Sequence, residues 1–399
     1  MLLGFDPDSP IEGRRVVVTG IGAMSCAGTG TEALWRALLS GKTPIDRHVP
    51  EFDASHLGGP KELRRLDPFT LYALAAADEA WRQSGLDETY ANAASIVATG
   101  IGGLQTLTEQ FAVLTERGAN RVSPFMIPMM MPNAAAAAVS MRFGTRGPCE
   151  TITTACAAGT HAIGYAARLV AAGRVEVAVT GGAEAVMTPL SMAGFTNMTA
   201  LSGSGISRPF DVDRDGFVMG EGAGILIIES LDHAVARGAT ILAEIRGAAS
   251  TADAYHLTAP DPDGAGAVEC IRLALRDAQL EPNDIDHVNA HGTSTPLNDR
   301  AESLAISAVF GERRPPVTST KGYLGHSLAA AGALEAVVSV LTLLNQSIPA
   351  TLGTVSIDPA IDVDVVLGQP RPHVIRNIIS NSFGFGGHNG CLIISQSRR

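Results

Sequence analysis

The sequence predicts a layered α/β fold built from two similar halves. Three observations carry this: short Val/Ile-rich runs recur along the 399 residues, Ala-rich stretches with helical spacing lie between them, and the second half echoes the first. Runs of β-branched residues ending at small or polar ones fit buried strands, and three- to four-residue spacing of small apolar side chains fits buried helices. Their alternation implies helices packed on sheets.

In chain order, the runs at 16–19, 95–100, 175–180, 225–229, 285–290, 317–320 and 375–380 read as strands, and 70–84, 159–172, 267–278 and 329–345 as helices. The echo is a strand, a small polar junction and an Ala/Gly-rich helix. It occurs at Thr153-Thr154-Ala155-Cys156-Ala157-Ala158-Gly159 and again at Gly322-Tyr323-Leu324-Gly325-His326-Ser327-Leu328. The join near 230–239 divides the chain into 1–235, with the reactive cysteine, and 236–399, with two histidines, a lysine and a glycine-aromatic string. Faces made of Ala let neighbours approach closely, so helices 159–172 and 329–345 are expected at the centre. No Pro/Ser/Gly linker separates the halves, which therefore share one compact body.

Composition excludes several function classes. Lys+Arg number 29 against 40 Asp+Glu, a net charge of −11 that argues against nucleic acid as partner. Apolar residues at 46% and charged residues at 17% supply a large core and exclude a disordered chain. The opening MLLGFDPDSP lacks the basic region of a secretory signal, so a cytoplasmic location is expected. The most apolar stretches are interrupted by Pro128, Pro132 and Asn133 or by Glu335, so no membrane span is read. Five cysteines without a C-x-x-C pair indicate neither a disulfide framework nor a zinc site.

Cys156 stands where a strand gives way to an Ala-rich helix. A thiol facing unpaired N–H groups at the positive end of the helix dipole is expected to have a lowered pKa, which makes it a nucleophile. Cys26, Cys149, Cys270 and Cys391 are read as small apolar fillers. His291, in Asn289-Ala290-His291-Gly292-Thr293-Ser294-Thr295, ends an apparent strand, where open α/β sheets build their sites. Thr293 and Thr295 alternate with period two and present their hydroxyls together. His326 lies five residues after Lys321, whose charge would hold the imidazole neutral.

Two glycine strings remain. Val16-Val17-Val18-Thr19-Gly20-Ile21-Gly22 opens like a dinucleotide fingerprint, but Ser25 stands where the third glycine belongs, which disfavours nucleotide binding. Asn381-Ser382-Phe383-Gly384-Phe385-Gly386-Gly387-His388-Asn389 lets backbone N–H groups approach a substrate while Phe385 serves as a gate; its structural alternative is a tight hairpin with core aromatics.

Together these motifs resemble the β-ketoacyl-acyl carrier protein synthases of the elongating type II class, from about Val16 to the C-terminus. The resemblance implies the duplicated, five-layered α-β-α-β-α thiolase fold and decarboxylative condensation of an acyl thioester with malonyl-acyl carrier protein. It assigns the nucleophile to Cys156 in Thr154-Ala155-Cys156-Ala157, the histidines to His291 and His326, their tuning to Lys321, and the oxyanion and gate loop to Phe385 with Phe383. Thr293 and Thr295 would bind phosphopantetheine, and Ile101 and Phe195 would line the acyl pocket. Lys61, Arg64 and Arg65 would dock the acidic carrier protein. The resemblance implies a homodimer and no required cofactor; Glu335 would join Asn289, Ser380 and Asn381 around a structural monovalent cation, or else serve as a structural tie. This chain departs from the pattern in the short segment 201–207 and in His388, where relatives carry Thr. A ketosynthase of a specialised polyketide or lipid pathway, a chain-length-factor partner and a thiolase remain as alternatives. Intact Cys156 weighs against the second, and Cys391 lying past the glycine string against the third.

Overall fold

The computed structural model describes residues 13–397, so the acidic N-terminal stretch considered above lies outside the described residues. The strands are β1 (Val16–Ser25), β2 (Gly28–Thr29), β3 (Ala93–Ala98), β4 (Cys149–Glu150), β5 (Val177–Glu184), β6 (Gly222–Ser230), β7 (Ala243–Ala252), β8 (His287–Asn289), β9 (Val317–Thr318), β10 (Ser347–Ile348), β11 (Arg371–Pro372), β12 (Asn377–Gly384) and β13 (His388–Ser395). The principal helices are α1 (Pro68–Ser84), α2 (Ala158–Ala171), α3 (Ala265–Ala278), α4 (Pro296–Phe310) and α5 (Ala329–Asn345).

The duplication is written in the strand order. One path runs β4-β3-β5-β6-β1-β7-β13-β12-β8-β9, and β1 meets β7 through the pairs Val16 to Val18 with Ile245 to Ala243. Counting outward from that junction, each half places its five main strands as first, last, fourth, second, third. In both halves the innermost pairs are antiparallel and the outermost parallel.

Five layers result. Phe69, Ala73 and Ala76 of α1 pack on Val177, Val179, Ile225 and Ile227, covering one face of the first half-sheet. On its other face Ile96, Leu226 and Ile228 meet Ala162, Ile163 and Ala166 of α2 and Ala333, Val337 and Val340 of α5, which also cover Ile378, Leu392 and Ile394 of the second half-sheet. Cys270, Ile271 and Ala274 of α3 and Ala305 and Ile306 of α4 close the outer face on Val288, Ile379 and Ile393. The central helices touch: a Cβ at Gly159 would lie 2.5 Å from the Ala329 carbonyl oxygen, so only glycine permits the contact. Each fully buried Val, Leu or Ile here contributes about 1.5–3 kcal/mol relative to exposure. No helix among the described residues is long and apolar enough to cross a membrane.

All seven strands expected from the Val/Ile runs are present with shifted ends. Two long strands were not expected: β7, whose Ala/Gly content gives little period-two contrast, and β13, whose apolar residues 391–394 show no alternation. The glycine-aromatic string proves to be a hairpin: β12 and β13 pair from Asn377 with Ser395 out to Gly384 with His388, leaving residues 385–387 as its tip. Of the cysteines read as fillers, Cys270 and Cys391 are buried, but Cys26 is half-buried and Cys149 exposed.

Candidate active site

The strand-to-helix junctions of the two halves meet. A single 3-10 turn, Ala155–Ala157, precedes α2, and Ala155 takes a positive φ of 49° to turn Cys156 inward. His291 follows β8, and His326 follows the short helical turn Lys321–Leu324. The Cys156 thiol and one nitrogen of each imidazole all lie within 4.8 Å of one another. The rings cross nearly perpendicularly, with centroids 5.3 Å apart. Phe217 packs edge-on to His326 and Phe383 to His291, fixing each ring.

These groups line a cavity of about 350 Å³ together with Thr293, Thr295 and Phe385. The two threonine hydroxyls lie 2.9 Å apart, so they face the cavity as a pair, as their spacing predicted. A groove of about 310 Å³ elsewhere, lined by Arg14, Arg168 and Asp277, offers no thiol or imidazole. The thiol and the two imidazoles therefore make the first cavity the candidate site.

The electrostatics correct one expectation. Burial pushes the Cys156 thiol up to about 11, against the lowering effects of the Phe385 N–H, the Lys321 ammonium and its own N–H. Desolvation therefore outweighs the turn, and the resting group is a thiol. Both imidazoles are driven well below their usual pKa, first by burial and then by Lys321, so they are neutral. Lys321 is itself buried and paired with Glu335, whose carboxyl burial raises to about 7 while the ammonium opposes the shift.

The Phe385 N–H and Cys156 N–H both act on the Cys156 sulfur. This close approach needs Gly384, where a Cβ would stand 3.0 Å from the Cys156 nitrogen. Buried carboxylates not anticipated from the sequence hold the surrounding loops. Glu302 accepts from the N–H groups of His291 (2.8 Å) and Gly292 (2.7 Å). Asp299 accepts from Phe210 N–H at 2.8 Å and also binds the Thr293 backbone. Glu184 gathers Thr99, Gly100, Ile101 and Ala329, tying the loop after β3 to the start of α5. Nothing in the local sequence marks these acids, because their partners are chiefly backbone donors of other elements, from the loop after β8 for Glu302 to the loop after β3 and the start of α5 for Glu184.

Other expected residues are placed differently. Ile101 is 41% exposed and does not line the cavity. Phe195 is half-buried and packs edge-on to Phe217 beside Cys156, outside the cavity lining. Asn289 donates to the Glu335 carbonyl at 3.0 Å and pairs in register with Ser380, so these three adjoin. Asn381, one step along β12, turns its amide the other way, to Glu302 and Cys391, because successive strand side chains alternate faces. It does not join the cluster through its side chain. Lys61 lies in the turn Pro60–Leu63, with Arg64 and Arg65 just beyond it, and all three are exposed. The Arg65 guanidinium sits 4.0 Å from the Phe125 ring centre. The short segment 201–207 is closed by Ser202 and Ser204 on the Asp215 carboxylate. His388 begins β13, half-buried.

Comparison with known proteins agrees with this architecture. Family models match residues 44–234 as beta-ketoacyl synthase, N-terminal domain, and residues 242–354 as beta-ketoacyl synthase, C-terminal domain. The chain is 44% identical to 3-oxoacyl-acyl-carrier-protein synthase 2 of Synechocystis, over 96% of this chain and 98% of that one. Among solved structures, the ishigamide ketosynthase/chain length factor superposes with a TM-score of 0.90 at 34% identity, covering 97% of this chain and all of the other. The AntDE:AntF complex, a type II PKS acyl-carrier protein with its ketosynthase, gives 0.87 at 31%, again over 97% and 100%. With matching models in both halves and the Cys-His-His cluster where the halves meet, the chain belongs to the β-ketoacyl synthase family.

Proposed function

We propose that the protein is an elongating β-ketoacyl-acyl carrier protein synthase, an acyltransferase that extends acyl chains by two carbons in fatty-acid biosynthesis. The observation that carries this is the Cys156, His291 and His326 cluster at the base of a cavity lined by paired threonines. Cys156 attacks the acyl thioester of the carrier protein, its proton passing by way of a neutral imidazole to the departing pantetheine thiolate. The N–H groups of Cys156 and Phe385 bind the tetrahedral oxyanion. Malonyl-carrier protein then enters past Thr293 and Thr295. His291 and His326 donate to its thioester carbonyl, carbon dioxide departs, and the enolate attacks the acyl carbonyl. The expelled Cys156 thiolate takes one proton from solvent. Transfer of labelled acyl group to the protein, followed by carbon dioxide release and a product two carbons longer, tests the reading. Absence of label sinks it. A specialised polyketide pathway is the second reading, but the polyketide ketosynthase neighbour, at 31% identity, is more distant in sequence than the 44% relative.

The carrier-protein partner is supported by Lys61, Arg64 and Arg65, exposed cations on a chain of net charge −11. Arg64→Glu with Arg65→Glu is expected to raise KM for acyl-carrier protein more than for an acyl-CoA mimic; equal effects on both substrates would refute docking there. A homodimer is supported by Ile101, Phe111, Leu114, Phe125, Ile127 and Met131, large apolar side chains exposed within one stretch of chain. Sedimentation is expected to give a dimer, and Phe111→Glu with Ile127→Glu a monomer. A wild-type monomer would remove the argument. A cytoplasmic location accords with this chemistry.

A structural monovalent cation also fits. Asn289 Oδ1, Ser380 Oγ and Glu335 Oε2 are buried oxygens without hydrogen-bond partners, the donor type such an ion takes. These three would hold it, and it would supply positive charge to the Glu335 carboxylate.

A further inference from the structure

The oxyanion hole is assembled from two segments more than 200 residues apart, the nucleophile turn and the hairpin tip. Its two N–H groups stabilise charge only if both stand about 2.7–3.1 Å from one oxygen, so something must fix their separation. Resting on the condensing reading above, we propose that His161 is a positioning residue that sets this separation by tying the nucleophile turn to the gate hairpin.

His161 lies in the first turns of α2, five residues after Cys156. Its Nδ1 is 2.7 Å from the Thr154 hydroxyl and its Nε2 3.0 Å from the Asn389 carbonyl oxygen. A carbonyl only accepts, so Nε2 carries the proton and Nδ1 of the neutral ring accepts from Thr154. Burial, which lowers the His161 pKa, favours that neutral ring. Thr154 immediately precedes the positive-φ residue Ala155 and Cys156; Asn389 pairs with Phe383 at the head of the hairpin. The strut is built in: a Cβ at Gly390 would lie 2.9 Å from Nε2, so glycine makes room for the ring.

The preceding residue does the same for the other strand, with the Thr160 hydroxyl 2.7 Å from that of Ser382. Successive residues of α2 thus grip both β12 and β13 at the Phe383 and Asn389 pair, two residues before the Phe385 N–H. Neither hydrogen bond of His161 goes to His291 or His326, and the hairpin reaches His291 only through the Phe383 ring, so His161 acts on acyl transfer far more than on malonyl decarboxylation.

The test uses full-length protein and two rates: acyl transfer from acyl-carrier protein to Cys156, and carbon dioxide release from malonyl-carrier protein without an acyl donor. His161→Phe and Thr154→Val are expected to slow acyl transfer roughly 10²-fold, the effect of misplacing a reacting group by about 1 Å, and to slow decarboxylation far less. The double variant should be no slower than the worse single one, because both remove one strut. His161→Gln, which keeps a donor and an acceptor, should regain much of the rate. Equal loss of both activities, undiminished acyl transfer in His161→Phe, or a glutamine variant no better than phenylalanine would overturn the assignment. Failure of the wild type in both assays would instead overturn the condensing reading.

Discussion

Cys156→Ala is expected to abolish acyl transfer while leaving carbon dioxide release from malonyl-carrier protein intact. The first effect follows from covalent chemistry: without a sulfur no acyl-enzyme forms, and removing a nucleophile costs roughly 10⁴-fold or more. The second follows from the division of labour in the cavity. His291 and His326 are neutral for reasons independent of the thiol, namely burial and the Lys321 charge. They therefore still donate to a developing enolate when Cys156 is gone. Labelled acyl-carrier protein and labelled malonyl-carrier protein, assayed separately on wild type and variant, read the two steps. Residual labelling of the variant at the wild-type level would remove Cys156 as nucleophile, and loss of both activities would mean that decarboxylation needs the sulfur.

The contrast between these two steps also shows what the sequence could reveal. His291 and His326 were legible because each follows a Val/Ile run, at 285–290 and 317–320, and Cys156 because it opens an Ala-rich helical segment, patterns local to about ten residues. The duplication was legible for the same reason, since the junction repeats. The carboxylates Glu184, Glu302 and Asp299 were not, because an acid that binds backbone N–H groups from another segment leaves no trace in its own neighbourhood. His161 was hidden likewise: its partners are a hydroxyl seven residues before it and a carbonyl 228 residues after it. Strand β7 escaped because Ala and Gly stand where alternation would be seen, and β13 because its apolar residues 391–394 run on without alternation. The sign of the Cys156 shift was missed for a different reason. A helix start is visible in sequence, but the desolvation that overrides it is a property of the closed fold. The direction of the Asn381 side chain, away from Glu335, follows from the parity of β12, in which neighbouring residues alternate faces.

Glu335→Leu is expected to destabilise the fold by about 3–5 kcal/mol, the usual cost of stripping one partner from a buried ion pair. Lys321 would remain 1% exposed without its carboxylate, and no other acid is paired with its ammonium among the described residues. The companion variant decides the mechanism. Glu335→Leu with Lys321→Met replaces both charges by apolar groups of similar size, which commonly restores stability. It does not restore the Lys321 field that, after burial, holds both imidazoles neutral. Urea unfolding should therefore show the double variant close to wild type while its decarboxylation stays low. Melting in potassium against tetramethylammonium reads the oxygen cluster in the same proteins: wild type should gain stability from potassium, and both variants should lose that gain with the Glu335 carboxylate. A single variant as stable as wild type would mean that the pair contributes nothing to the fold. A fully active double variant would show that the imidazoles need only burial, and Lys321 would then be a structural residue.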